Sequence, residues 1–120
     1  MAWSHDYLVR MTLDDGGPAK IVTEKSLVDQ STVKFVRSLI SLSTTTSNYQ
    51  VVFGSNFTTP TKLCLIETAG ATFTYSVGAT NLHHKVAASG CAFLHGSIAS
   101  LYLSNNSTNG TPTIEVLLVR

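Results

Sequence analysis

Between Ser38 and Ile114 the chain is almost without charge: Lys62, Glu67 and Lys85 are the only formally charged side chains in that stretch. Over the whole chain 12% of residues are charged, against roughly 25% in an ordinary soluble domain. Ser, Thr and Asn stand where the charge would be. Removing a charge from water costs far more than removing a hydroxyl, so a surface of this kind is suited to being covered by another protein.

Other absences narrow the function. There is no Gly-x-x-x-x-Gly-Lys or Gly-x-Gly-x-x-Gly motif, so a phosphate or dinucleotide cradle has no support and no cofactor is expected. The Gly-x-Ser-x-Gly nucleophile elbow is missing too. A net charge of +1 with scattered basic residues gives none of the basic stripe that holds nucleic acid. The longest apolar runs are strand-sized, and Met1-Ala2-Trp3-Ser4-His5-Asp6 has no basic segment followed by an apolar core. Neither a signal peptide nor membrane insertion is expected, and synthesis in the cytoplasm follows.

Cysteine is scarce. Cys64 and Cys91 each lie inside an apolar, strand-like segment, and outside a secretory context two buried thiols are expected rather than a disulfide. Zinc needs more ligands than this pair offers.

The charge that does exist is lopsided. Ten of the charged residues fall in the first 37 positions, from Asp6 to Arg37, with both signs interleaved, the pattern of a solvated face. The N-terminal third is therefore expected to face solvent. The neutral body from Ser38 to Ile114 is expected to make the contacts between subunits.

Along the chain, Tyr7, Val9, Met11 and Leu13 alternate with Leu8, Arg10 and Thr12, a strand with one buried face. Asp14-Asp15-Gly16-Gly17-Pro18 supplies a turn, and Lys20 to Thr23 resumes an extended pattern, so the first unit reads as a hairpin. Lys25 to Gln30 is the one stretch with helical potential. Val33 to Leu42 reads as a strand, with an amphipathic helix as its rival. After a polar loop over Ser43 to Asn48, extended segments are expected at Tyr49 to Phe53, Lys62 to Thr68, Thr72 to Gly78, Leu82 to Val86, Cys91 to His95, Ile98 to Leu103 and Thr113 to Val119. From Leu63 onward these recur every eight to twelve residues or so with turn residues between them, the signature of an all-β sandwich or barrel.

Four histidines invite a metal reading: His5, His83, His84 and His95. In an extended chain His83 and His84 point to opposite faces, and no Asp or Glu lies near them in sequence, so no metal site is assigned. A catalytic triad needs an acid to orient its histidine, and the second half offers only Glu67 and Glu115; no catalytic residue is assigned and no enzymatic activity is expected. The matches to the glycosylation sequon at Asn56, Asn105, Asn106 and Asn109 read as turn residues. Trp3 either closes one end of its own core or, with Tyr7, belongs to an arm over residues 1–7 that docks on a neighbouring subunit, since aromatic rings are enriched at interfaces.

The run Thr61-Lys62-Leu63-Cys64-Leu65-Ile66-Glu67-Thr68, then Thr72-Phe73-Thr74-Tyr75-Ser76-Val77, Cys91-Ala92-Phe93-Leu94-His95, Ala99-Ser100-Leu101-Tyr102-Leu103 and Ile114-Glu115-Val116-Leu117-Leu118-Val119 resembles the late strands of small phage virion structural proteins, of the capsid decoration or cement type. The resemblance is one of pattern and covers residues 61–120. It implies a jelly-roll-like sandwich, a homo-oligomer, a major capsid protein as partner and a place on the capsid surface of the virion; a tail or fibre component is the variant.

The expectation is thus a single all-β domain over residues 1–120, an antiparallel β-sandwich or distorted barrel, jelly-roll-like, with at most one short helix. Its function is that of a non-enzymatic viral structural protein, with no nucleic acid or membrane partner. Candidate interface residues are Trp3, Tyr7, Tyr49, Phe57 and Tyr102. The alternative is a carbohydrate-binding sandwich, for which Tyr49, Asn56, His83 and Tyr102 are the residues to inspect; a minor hydrolase would depend on His83, His84 or His95.

Overall fold

The computed structural model describes the backbone of residues 3–13, 16–17, 20–32, 35–53 and 60–120, and side chains at position 8 and over 35–53 and 60–120. The chain divides into two compact units, residues 1–33 and 34–120.

The first unit is an antiparallel hairpin of β1 (Trp3–Leu13) and β2 (Lys20–Thr32). Its register pairs Tyr7 with Leu27 and Met11 with Thr23, with irregularities near both ends. Gly16 in the connection has φ +97°, a conformation that glycine adopts without strain. The helical reading of Lys25 to Gln30 is corrected: that stretch lies inside β2, paired with β1 from Asp29↔His5 to Lys25↔Val9. The local helix preference of a few residues yields to a continuous ladder of backbone hydrogen bonds. Trp3 and Tyr7 fall on β1, but their side chains, like Met1, Ala2 and Phe57, lie outside the described residues.

The second unit holds eight strands: β3 (Phe35–Ser41), β4 (Thr46–Gln50), β5 (Lys62–Glu67), β6 (Phe73–Val77), β7 (His84–Val86), β8 (Cys91–His95), β9 (Leu101–Asn105) and β10 (Thr113–Val119). They form two four-stranded antiparallel sheets in the orders β3-β10-β5-β8 and β4-β9-β6-β7. Pairing is nested: β6 with β7, β5 with β8, β4 with β9, β3 with β10. A long hairpin folded over so that its paired arms alternate between two sheets produces this order, and it is the jelly roll. The described residues contain no helix.

Alternation along the strands builds the core. Leu63 and Leu65 of β5, Ile114, Val116 and Leu118 of β10, Phe73 of β6, and Leu101 and Leu103 of β9 all point between the sheets and are buried. Leu42, Val51 and Ile98 join them from the connections. Each fully buried side chain of this size contributes about 1.5–3 kcal/mol through burial, and together they fix which face of every strand turns inward.

Two buried polar residues tie the corners. Glu67 ends β5 on the inward side and is 2% exposed; its carboxylate accepts from the backbone N–H groups of Ala69 (2.7 Å), Gly70 (2.7 Å) and Ser89 (2.8 Å). It thereby clamps the β5–β6 turn to the β7–β8 turn. Gly90 follows closely there, and a Cβ on it would meet the Ala87 carbonyl oxygen at 2.8 Å. Asn105 ends β9 with no exposed surface. Its Nδ2 donates to the carbonyls of Gly110 (2.7 Å) and Ser43 (3.1 Å), and its Oδ1 accepts from the Ser107 N–H (3.0 Å), joining the β3–β4 corner to the β9–β10 loop. The sequon match at Asn105, expected to be a turn residue, is thus the buried last residue of β9.

Candidate functional site

The jelly roll presents two outer faces of opposite character. On the β4-β9-β6-β7 sheet the outward positions are Thr74, Ser76, Tyr102, Ser104, Gln50 and Lys85, matched across the strands as Thr74↔Ser104, Thr74↔Lys85, Ser76↔Tyr102 and Gln50↔Tyr102. This face is made of hydroxyls and one cation. Loops close over part of it: Ser76 Oγ donates to the Ala79 carbonyl and accepts from the Leu82 N–H, and the Asn48 N–H donates to Ser104 Oγ at 2.9 Å.

The outer face of the β3-β10-β5-β8 sheet is apolar. Register sets three rows across four strands: Leu39, Glu115, Ile66, Cys91; Arg37, Leu117, Cys64, Phe93; and Phe35, Val119, Lys62, His95, in which Val119 and Lys62 are buried. Phe35 extends the face along β3. Leu39 is 65% exposed, Phe35 55% and Ile66 38%, whereas an antiparallel sheet facing water normally turns polar residues outward. Contiguous exposed apolar surface of this kind makes the face a candidate interaction site.

Arg37 and Glu115 on this face pair with each other. Arg37 Nε donates to Glu115 Oε1 at 2.8 Å, with the arginine side chain 64% exposed. An ion pair so open to water adds about 0–1 kcal/mol to stability; its consequence here is that these two charges neutralise each other, while Lys62, a further cation at an outward position of β5, is buried. The charge gap read from the sequence is wider on the surface than in the sequence. Of its three members, Lys62 and Glu67 are buried and Lys85 is exposed.

The expectation of two buried thiols is corrected. Cys91 is exposed and Cys64 half-buried, and both are free. Cys91 lies on β8 opposite Ile66, and Cys64 lies on β5 opposite Phe93, so both belong to the outer apolar face. An apolar strand segment looks the same in sequence whether its second face is covered by the protein itself or left open. Burial, then the neighbouring Cys91 and Glu115, push the Cys64 thiol above its ordinary value, so it is protonated at neutral pH.

A second concavity opens between the edges of the two sheets. Tyr75, Val77, Leu82, His84, Leu94, His95 and Ile98 line a cleft of about 290 Å³, where the Tyr75 and His84 rings stand 5.3 Å apart, tilted by 33°. No Asp, Glu, Lys or Arg lines it. The acids with described side chains, Glu67 and Glu115, are engaged elsewhere, with backbone N–H groups and with Arg37. Among the described residues no three His, Cys, Asp or Glu side chains stand close enough to hold a metal ion.

The candidate residues therefore scatter. Tyr49, 46% exposed, lies on β4 opposite Leu103, and Tyr102, half-buried, lies on β9 between Gln50 and Ser76. Both belong to the hydroxyl-rich sheet and neither reaches the apolar face. His83 is exposed just before β7, outside the cleft, while Asn56 and Phe57 lie outside the described residues. The residues that reasoning from sequence missed are Phe35, Leu39, Ile66 and Phe93. Each is an ordinary strand hydrophobe, and only the strand order reveals that they share one open face. Comparison with protein families, with curated proteins and with solved structures finds no match for this chain.

Proposed function

We propose that this chain is a non-enzymatic viral structural protein that binds and stabilises a capsid lattice as a homo-oligomer, in the manner of a decoration or cement protein. The observation that carries this reading is the exposed apolar part of the outer face of the β3-β10-β5-β8 sheet, around Phe35, Leu39 and Ile66, where Arg37 and Glu115 pair. Such a face makes a rigid docking surface and offers no chemistry. The jelly roll supports it by analogy, since viral capsid domains use this architecture. Rigid sheets resist deformation, and a face free of unpaired charge can be covered without stranding an ion.

The test is co-sedimentation of the purified protein with assembled capsids. Saturable binding at a fixed ratio to the capsid protein is expected, together with a higher dissociation temperature of the decorated particles. Protein that stays in the supernatant at all ratios removes the reading.

The cleft favours a second reading. A neutral pocket walled by the Tyr75 and His84 rings suits a sugar, whose apolar face stacks on aromatic rings while its hydroxyls pair with imidazole nitrogens. A glycan array expects a hit that Tyr75→Ala abolishes, and an array blank at high protein concentration eliminates it.

A further inference from the structure

The two cysteines take no part in the reading above, yet they lie on neighbouring strands and face the same way. The geometry points to a two-coordinate site for a soft monovalent metal ion, copper(I) in chemical class, held between Cys64 Sγ on β5 and Cys91 Sγ on β8. The site stands independently of the virion reading.

Register places the pair. Cys64 lies opposite Phe93 and Cys91 opposite Ile66, so the two thiols are diagonal neighbours on one face. The Glu67 N–H donates to the Gly90 carbonyl at 2.9 Å and the Gly96 N–H to the Thr61 carbonyl at 2.8 Å. Bonded and non-bonded pairs alternate along an antiparallel ladder, so Leu63, Leu65 and Glu67 occupy its hydrogen-bonded positions. Cys64 and Ile66 occupy the non-bonded ones, where facing side chains come closest. Cys91 is near enough to act on the Cys64 thiol.

The span of the diagonal separates two kinds of bridge. Diagonal neighbours stand about 7–8 Å apart at Cα and somewhat less at Cβ. A disulfide needs Cα atoms within about 6.8 Å and Cβ atoms within about 4.5 Å, so this pair is too wide for one unless the backbone moves. Both thiols are free. A metal–sulfur bond is about 2.3 Å long, so an ion in line between two sulfurs holds them about 4.6 Å apart. Rotation about the two Cα–Cβ bonds brings the sulfurs to that separation.

The donor set then chooses the ion. Zinc takes four ligands, and among the described residues no third His, Cys, Asp or Glu stands close enough to this pair to build such a group. Glu115, on the adjoining strand, is held by Arg37. Thiolates are soft ligands that select copper(I), whose filled d shell is satisfied by two sulfurs in line. Cys91 is exposed and Cys64 half-buried, so the ion enters from solvent on the Cys91 side. As the two metal–sulfur bonds form, both thiols release their protons to solvent and the ion sheds the weak ligands it arrived with; nothing is oxidised.

Anaerobic titration of the reduced full chain with copper(I), supplied as its acetonitrile complex, tests the site. One ion per chain is expected, seen as sulfur-to-copper charge-transfer absorption in the ultraviolet and retained by the monomer in native mass spectrometry. X-ray absorption should show sulfur ligands and no nitrogen. Cys91→Ser, at an exposed position, and Cys64→Ser should each lose the ion, since one sulfur cannot complete the pair; circular dichroism confirms that both are folded. Zinc in equal amount should not displace it.

A wild-type chain that takes up no copper(I) overturns the inference, as does uptake that either folded serine variant retains, displacement by zinc, or an ion held only between two chains. A Cys64–Cys91 disulfide that forms on mild oxidation with diamide, with the circular dichroism unchanged, overturns it too, because the thiols would then stand closer than the register sets them.

Discussion

Glu67→Ala is expected to lower the unfolding free energy of the jelly-roll unit by about 3 kcal/mol, because hydrogen bonds to a charged group contribute about 1.5–3 kcal/mol each and their loss leaves buried N–H groups unmet. Three donors, on Ala69, Gly70 and Ser89, converge on this one carboxylate. Water can replace some of them, which keeps the figure below the sum of the three. Glu67→Gln should recover little, since its amide NH₂ would face donors. Urea unfolding at neutral pH measures both.

The same carboxylate gives stability a pH dependence. Burial alone would raise its titration, but the N–H groups of Ser89, Ala69, Ala71 and Gly70 together outweigh burial and hold the carboxyl below its ordinary value. A group lowered on folding contributes fully above its unfolded value, about 4.3, and its contribution disappears as pH falls through the folded one. Wild-type protein should therefore lose stability below about pH 4.3 in a component that Glu67→Gln lacks. Equal acid sensitivity of the two proteins would refute the role given to Glu67.

Asn105→Asp carries the second large effect, with the opposite pH sign. The substitution keeps shape and volume, yet at neutral pH it sets a buried carboxylate against the carbonyl oxygens of Gly110 and Ser43, where the amide now donates. A loss of about 3 kcal/mol or more is expected from an unpaired buried charge and two orphaned acceptors. A carboxyl in that position titrates above its unfolded value, so the unfolded chain gives up its proton first as pH rises. The penalty should shrink as pH falls and the acid regains a donor. Thermal melts from neutral to mildly acidic pH would show the variant approaching wild type, and a constant gap would count against the assignment of Nδ2 as donor.

Much of the fold was legible from the alternation of side chains. Phe73, Tyr75 and Val77 against Thr74 and Ser76, or Ile114, Val116 and Leu118 against Glu115 and Leu117, state a strand and its inner face directly, and β6, β8 and β10 lie where the pattern puts them. Reading failed where one signal served two structures. Lys25 to Gln30 has residues that favour a helix in isolation, and long-range pairing with β1 decides otherwise. The polar run Ser43 to Asn48 hides the start of β4, because Thr45 and Asn48 adopt positive φ values of 58° and 52° and Thr46 still enters the ladder opposite Asn105. Ile98 is buried like a strand residue but lies ahead of β9. The candidate site was less legible still. Tyr49 and Tyr102 attract attention as aromatic residues, yet Leu39 on β3 and Ile66 on β5 come together only because β10 lies between them. Nothing local in the sequence encodes that neighbour relation.

That place of β10 bears on how the chain reaches its fold. β6 and β7 are joined by a short connection and can close at once; β5 with β8, then β4 with β9, then β3 with β10 each close a loop already shortened by the pair inside it. Loop-closure entropy rises only slowly with length, and nesting reduces it further, so a topology dominated by distant pairings need not start with one. The exposure comes at the end of that sequence. Until β10 arrives, β3 lacks its only ladder partner in the sheet and β5 keeps an open edge, both bordered by Leu39 and Ile66. During synthesis the nascent chain therefore carries its stickiest surface beside its two unpaired strands, and insertion of β10 is the step that protects it from aggregation.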